Sequence, residues 1–197
     1  MAAKIDIATI KKLKELSGVG LTDAKNALVE ADGDFDKALE AMRKKGLTKA
    51  EKRGDRETRE GLIDAYIHDG RIGAIVEVNC ETSFVAKTDE FKDLAHKLAM
   101  QVASMSPLYV SEEDIPEDVM QEKMKELEEN FKGPEKMKDQ ILQGQVKKAF
   151  SDKVLLNQPY ILDDTKTVAD FIKDNIAKTG ENITVKQFKR IELGVTE

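Results

Sequence analysis

Cysteine is almost missing from this chain. Of 197 residues only Cys80 carries a thiol, so no disulfide can form within the chain, and a reducing compartment, by default the cytoplasm, is expected. Long apolar runs are missing as well. Nothing approaches the roughly 20 consecutive apolar residues that a membrane-spanning helix needs, so no membrane association is expected. Positive charge is not in surplus: 32 Lys and Arg against 38 Asp and Glu leave a net charge of −6, which argues against a general nucleic-acid binder. The opening MAAKIDIATIKKL has helical periodicity with acidic residues nearby, and neither a signal nor a transit peptide is visible in it. Internal repeats and low-complexity segments are absent too.

Catalytic constellations are equally scarce. The two histidines, His68 and His96, lie far apart with no metal-ligand spacing. His68 falls just before a turn and His96 on the polar side of a helix. Cys80 follows an apolar strand face without a His or Asn poised to activate it, so it reads as a small core residue rather than a nucleophile. GVGLTD precedes a helix, but no strand leads into it and no Lys-Ser/Thr follows, so it is neither a dinucleotide fingerprint nor a phosphate loop. The carboxylates of SEEDIPED lack calcium-loop spacing and read as a solvated turn. No enzyme, cofactor or metal site is expected, and a binding protein is favoured.

What is present is a composition of 40% hydrophobic and 36% charged residues, that of a soluble globular protein with room for one or two domains. Residues 1–46 predict three short helices. Ile7, Ile10, Leu13 and Leu16 mark the apolar face of the first. Leu21, Ala24, Ala27, Leu28 and Ala31 mark that of the second, which ends at Asp32-Gly33. Asp34 is the expected N-cap of the third, with Phe35, Ala38, Leu39 and Met42 inward and Gly46 as its stop. Helices this short must share one core. Residues 47–59, within a charge-dense run from Arg43 to Arg59, predict a solvated helical linker, with a phosphate-binding patch as the other reading.

Residues 60–197 predict an α+β domain. Ile63, Ala65 and Ile67 alternate, as do Ile72, Ala74, Val76 and Val78. Asp69-Gly70 between the two runs is a hairpin signal, because both central residues of a type I′ turn need positive φ. Phe91, Leu94, Leu98, Val102 and Met105 line a long helix that Pro107 stops. Further helices carry Met120, Met124 and Leu127, broken at Gly133-Pro134, and then Met137, Ile141, Leu142, Val146, Ala149 and Phe150. Residues 155–164 look irregular or briefly extended around Pro159. Thr167 is expected to cap a helix with Val168, Phe171, Ile172 and Ile176 inward, closed by Gly180. Residues 182–193 predict a last strand with Ile183, Val185, Ile191 and Leu193 on one face. Phe188 falls on the other, which points to a bulge or a two-sided strand. This strand is expected to join the hairpin in a small antiparallel sheet packed on helices.

Between hairpin and long helix, the turn at 81–88 carries two adjacent apolar residues, Phe84 and Val85. Phe84 either packs against the helix that starts near Thr88 or belongs to the surface of another molecule, while Thr82 and Ser83 are good helix caps.

Two stretches resemble the signatures of bacterial elongation factor Ts. LKELSGVGLTDAKNAL at 13–28 is similar to the N-terminal one, with its landmarks at Leu13, Gly18, Gly20, Lys25, Ala27 and Leu28. EVNCETSFVAK at 77–87 is similar to the second, Glu-x-Asn-Cys-(Gln/Glu)-Thr-Asp-Phe-Val-Ala-(Lys/Arg), with Ser83 where the family has Asp. LLNQPYILDD and GENITVKQFKRIELG are further landmarks, and the likeness spans essentially the whole chain. The resemblance implies a translation factor of protein biosynthesis, a guanine-nucleotide exchange factor that binds GDP-bound and nucleotide-free elongation factor Tu, dislocates Mg²⁺ and promotes GDP release and GTP exchange. It implies a ubiquitin-associated-like fold for residues 1–46. It implies partner binding and Mg²⁺ dislocation by Thr82, Ser83, Phe84 and Val85, with further partner contact at Gly18, Val19, Gly20 and Lys25. The chain is too short for the duplicated core of longer members, and the resemblance then implies a homodimer with no direct nucleic-acid contact. The rival reading is a peptide-binding or ubiquitin-like interaction adaptor whose core is only a scaffold.

Overall fold

A computed structural model describes residues 6–17, 20–131 and 137–195. The fold is α+β, as expected. The chain divides into two compact units, one of Met1–Leu62, Val78–Leu94 and Asp170–Thr184, the other of Ile63–Glu77, Ala95–Ala169 and Val185–Glu197. Among the described residues no helix is long and apolar enough to cross a membrane.

The first unit opens with α1 (Ile7–Ser17), α2 (Leu21–Glu30) and α3 (Phe35–Glu51). Their shared core holds Ile10, Leu13, Ala24, Ala27, Leu28, Ala38 and Met42, with Ala31, Phe35 and Leu39 packed against it. Asp6 and Asp34 cap α1 and α3, accepting from the backbone N–H of Thr9 at 2.6 Å and of Lys37 at 3.1 Å. These bonds hold both carboxyls below their usual range. The first helix departs from expectation: Ile7 and Leu16 are exposed, and only Ile10 and Leu13 are buried. With 3.6 residues per turn, each three-residue step falls about 60° short of a full turn, so a run at that spacing winds off the core at both ends. Nor does Gly46 stop α3, which runs on to Glu51. A glycine inside a helix costs only about 1 kcal/mol relative to alanine.

The charged segment after α3 is not simply solvated. Arg53 Nη1 donates to the Ile176 carbonyl at 3.3 Å, Arg56 Nη1 lies 3.4 Å from the Glu81 carboxylate, and the Thr58 and Thr184 hydroxyls are 2.8 Å apart. Each of these two guanidinium groups thus has one donor nitrogen engaged by an internal acceptor.

Strands β1 (Glu60–His68) and β2 (Ile72–Cys80) form the expected hairpin. Asp69 and Gly70 both have positive φ, and Arg71 N donates to His68 O at 2.9 Å. The last strand, β5 (Ile183–Glu192), joins it as expected in the order β1-β2-β5. Ala74, Val76, Val78 and Cys80 are buried, whereas Ile63 and Ile67 are 65% and 70% exposed. In β1 it is Leu62, Asp64 and Tyr66 that are partly buried. In β5, Ile183 is buried, but Ile191 is exposed and Phe188 is half-buried. The inward parity therefore switches along the strand and carries Ile191 and Leu193 outward, against the single-face expectation but in line with the two-sided alternative.

After α4 (Ser83–Ala86), helix α5 (Asp89–Met105) buries Phe91, Leu94, Leu98 and Val102, while Met105 at its end is partly exposed. Helices α6 (Glu117–Glu129) and α7 (Lys138–Phe150) follow in the second unit. There Val119, Met120, Met124 and Leu127 pack on a core of Ile115, Val146, Phe150 and Val154. Met137 precedes α7 and is exposed, and Gly133-Pro134 lies outside the described residues.

Residues 155–167 are more ordered than their polarity suggests. A 3₁₀ turn, Leu155–Asn157, leads into β3 (Pro159–Tyr160), which pairs antiparallel with β4 (Asp163–Thr167) before α8 (Val168–Thr179). Two fully buried glutamines hold this stretch. Gln101 Nε2 donates to Gln158 Oε1 at 3.1 Å and to Pro159 O at 3.2 Å, and its Oε1 accepts from Ile161 N at 2.9 Å. Gln158 Nε2 donates to Met105 O and Asp152 O. A buried network with every member satisfied fixes an irregular backbone, its hydrogen bonds offsetting the cost of taking the amides out of water.

Candidate functional site

The segment between β2 and α5 is built from alternating anchors and one projecting side chain. The Cys80 side chain is buried, and its Sγ–H donates to the Thr82 carbonyl at 3.2 Å. Thr82 is extended (φ −129°, ψ 148°) and caps α4: Val85 N donates to its Oγ1 at 3.4 Å, and Ala86 N to its carbonyl at 3.2 Å. Thr88 bridges α4 to α5, donating from Oγ1 to Val85 O at 2.8 Å and accepting from Phe91 N at 3.3 Å. Val85 and Ala86 are buried at 7% and 8% exposure, whereas Phe84 is 80% exposed.

Successive helical residues are separated by about 100°, so a one-turn helix that turns Val85 and Ala86 inward aims Phe84 away from them. Of the two readings of Phe84, packing against α5 is ruled out by its exposure. Thr82 and Ser83 are exposed as well, and Ser83 is the first residue of α4. Val85, grouped with the contact residues by the resemblance, faces inward and anchors the turn.

A polar clasp backs the turn. The Glu181 carboxylate accepts from Thr82 N at 2.9 Å and from Thr82 Oγ1 at 2.6 Å. The Glu81 carboxylate accepts from Asn182 N at 2.7 Å and faces Arg56. Asn182, 2% exposed, donates from Nδ2 to Gly54 O at 3.1 Å and Arg56 O at 2.8 Å. Burial, and then the Glu181 charge, push the Cys80 thiol up. The thiol therefore stays protonated at neutral pH and is no nucleophile.

The other expected contact residues belong to the same unit. Gly18 and Val19 lie outside the described residues, while Gly20 and Lys25 are exposed. Gly20 precedes α2 with φ −65°, and among the described residues a Cβ there would meet nothing within 4 Å. Packing among the described residues therefore does not require glycine at this position.

The histidines come together in the second unit, each beside Tyr66. The Tyr66 hydroxyl is 3.0 Å from His68 Nδ1, the His96 ring stands edge-on to Tyr66, and His96 Nδ1 is 3.2 Å from Asp64 Oδ2. Among the described residues no three His, Cys, Asp or Glu side chains are grouped to hold a metal ion. Sequence reading missed Glu181, Asn182 and Arg56. For Glu181 and Asn182 the only sequence signal is that Gly-Glu-Asn opens one of the landmark stretches, because contacts spanning about a hundred residues leave no local periodicity; Arg56 is hidden among the other charges of its run.

Comparison with known proteins gives one family. The model described as "Elongation factor TS" matches residues 8–195. Elongation factor Ts from Thermotoga sp. (strain RQ2) is 51% identical over 193 residues, covering 97% of this chain and 97% of that protein. The same-named protein of Moorella thermoacetica is 49% identical over 194 residues, with 96% of each chain covered. That of Fervidobacterium nodosum is 46% identical over 195 residues, covering 97% of this chain and 99% of the other.

Proposed function

This chain belongs to the elongation factor Ts family and is a translation elongation factor, and we propose that it serves as the guanine-nucleotide exchange factor for elongation factor Tu in the cytoplasm. The observation that carries the proposal is Phe84, a large apolar side chain 80% exposed on a turn pinned on both sides. The nucleotide on such a GTPase is held by a phosphate loop and by Mg²⁺ that bridges phosphate oxygens to protein ligands. Phe84 intrudes between helices of the partner, and Thr82 and Ser83 contact the surface around it. The partner's Mg²⁺ is thereby dislocated, GDP leaves, and GTP replaces it. The chain acts through binding energy and forms no covalent intermediate.

Magnitudes set what else is needed. Weakening the nucleotide a thousandfold takes about 4 kcal/mol of differential binding, while burying one large apolar side chain supplies roughly 1.5–3 kcal/mol. Phe84 alone is therefore not sufficient. The remainder comes from the three-helix domain of residues 1–46 through Gly18, Val19, Gly20 and Lys25, and from the domain of residues 60–197. Gly20 supports this division, since neither its φ nor its surroundings demand glycine, and a missing side chain lets a partner approach the backbone.

The protein works as a homodimer without direct nucleic-acid contact. Supporting the dimer is the open side of the sheet, where Ile63, Ile67 and Ile75 are exposed and Ile63, Ile75, Gln187 and Phe188 line a shallow groove. An apolar sheet face of this kind is stable when a second copy covers it.

Calorimetric titration tests the proposal through linkage. Nucleotide-free elongation factor Tu binds this chain more tightly than the GDP-bound form does; equal affinities would overturn it.

A further inference from the structure

We infer that Glu181 is a positioning residue of the exchange turn, holding Thr82, and through it Phe84, in the orientation that engages the partner. The inference rests on the exchange reading above. Glu181 takes both donors of Thr82, the backbone N–H at 2.9 Å and the hydroxyl at 2.6 Å. A hydroxyl has one proton. Donation of that proton to Glu181 fixes the rotor and leaves the Thr82 oxygen lone pairs to accept from Val85 N, the capping bond of α4. The capping bond is long, at 3.4 Å, whereas the bond to the carboxylate is short and charge-assisted, the stronger kind. Glu181 therefore sets the cap, and the cap sets a four-residue helix, Ser83–Ala86, that could not persist alone.

The arm that carries Glu181 is itself fixed. Helix α8 ends at Thr179, and Gly180 turns the chain with φ +79° while its N–H bonds Ile176 O at 3.0 Å. Arg53 donates to the same carbonyl. Asn182 follows, bonded through its side chain to Gly54 O and Arg56 O and through its N–H to Glu81. Two consecutive residues of the turn, Glu81 and Thr82, are thus bound to two consecutive residues of the arm, Asn182 and Glu181. A clasp made before the partner arrives removes part of the ordering cost of binding.

The test is a double-mutant cycle on the whole protein, read as the rate of labelled GDP release from elongation factor Tu. Glu181→Ala is expected to slow release about tenfold, the effect of losing a hydrogen-bonded carboxylate worth about 1.4 kcal/mol. Glu181→Gln, which keeps one acceptor, is expected to fall between Glu181→Ala and the wild-type protein. In a Phe84→Ala background the same Glu181→Ala change is expected to have little further effect, because its influence passes through the missing ring. Amide hydrogen exchange of Thr82–Ala86 is expected to quicken in Glu181→Ala while Leu98 and Val102 of α5 stay protected. A wild-type release rate in Glu181→Ala would overturn the inference and leave the exchange reading intact. So would a loss that simply multiplies with that of Phe84→Ala. No acceleration by the wild-type protein would overturn the exchange reading and this inference with it.

Discussion

Truncating Phe84 to alanine separates fold from function in one variant. In the free protein the ring is 80% exposed, so its removal is expected to change stability by no more than about 0.5 kcal/mol, the usual range for a surface position. In the proposed complex with elongation factor Tu the same ring is buried, and its loss there is expected to remove roughly 1.5–3 kcal/mol of binding that acts on the partner's nucleotide site. Converted at 1.4 kcal/mol per factor of ten, this is a fall of about 10- to 150-fold in the efficiency of nucleotide release. Phe84→Leu keeps most of the apolar area and is expected to retain most of the rate. The assay is stopped-flow release of a fluorescent GDP derivative, alongside a thermal melt of each variant. A Phe84→Ala protein with the wild-type rate would refute the reasoning and restore the adaptor reading. A loss of rate accompanied by an equal loss of stability would mean that the ring supports the fold, contrary to its exposure.

Ser83→Asp tests the one departure from the family pattern in the turn. A carboxylate at the start of α4 makes charge-assisted bonds to a partner that are worth on the order of 1–2 kcal/mol more than those of a hydroxyl, so GDP release should quicken, and an unchanged rate would sink the idea. Gly61→Ala should unfold or severely weaken the protein. A Cβ there would lie 2.2 Å from Val78 O and 2.7 Å from Asn79 Cα, and relieving such overlap is expected to cost about 3 kcal/mol or more; a melting midpoint within a degree of wild type would contradict this. Ile63→Lys should turn the proposed homodimer into a monomer in analytical ultracentrifugation while leaving the circular dichroism unchanged; a variant that stays dimeric would place the interface elsewhere, and a wild-type protein that sediments as a monomer would overturn the dimer. Asp34 should contribute to acid sensitivity. Its carboxyl is held low in the folded chain, chiefly by the Lys37 backbone N–H, so its stabilisation is present above the unfolded pKa of about 3.9 and lost as pH falls through the lower folded value. Asp34→Ala should flatten the acid limb of the stability profile, and parallel limbs would count against the cap.

Local chemistry made parts of this fold legible in advance. Asp69-Gly70 specifies its turn because few other residues accept positive φ twice in succession. Asp34 announces a helix start because a carboxylate satisfies backbone donors. Alternation was less decisive. It shows that Ile63, Ala65 and Ile67 share a face but not which side of the sheet is covered, and in β1 it is Leu62 and Tyr66, on the other face, that are partly buried. The β3–β4 ribbon was not legible, since Asp163–Thr167 has no apolar alternation and its order depends on Gln101 and Gln158, distant in sequence. The turn at Phe84 was visible as a family pattern and as two apolar residues out of place, whereas Glu181, which lies 99 positions from Thr82 in sequence, was visible only in three dimensions.

The central claim is that this chain loosens GDP from elongation factor Tu by binding and is released to act again. The measurement that tests it most directly is release of labelled GDP from elongation factor Tu with this protein added at substoichiometric concentration. The account predicts complete release at a rate proportional to the amount of protein added. Release that stops at one equivalent per protein added, or that proceeds no faster than without it, would contradict the account.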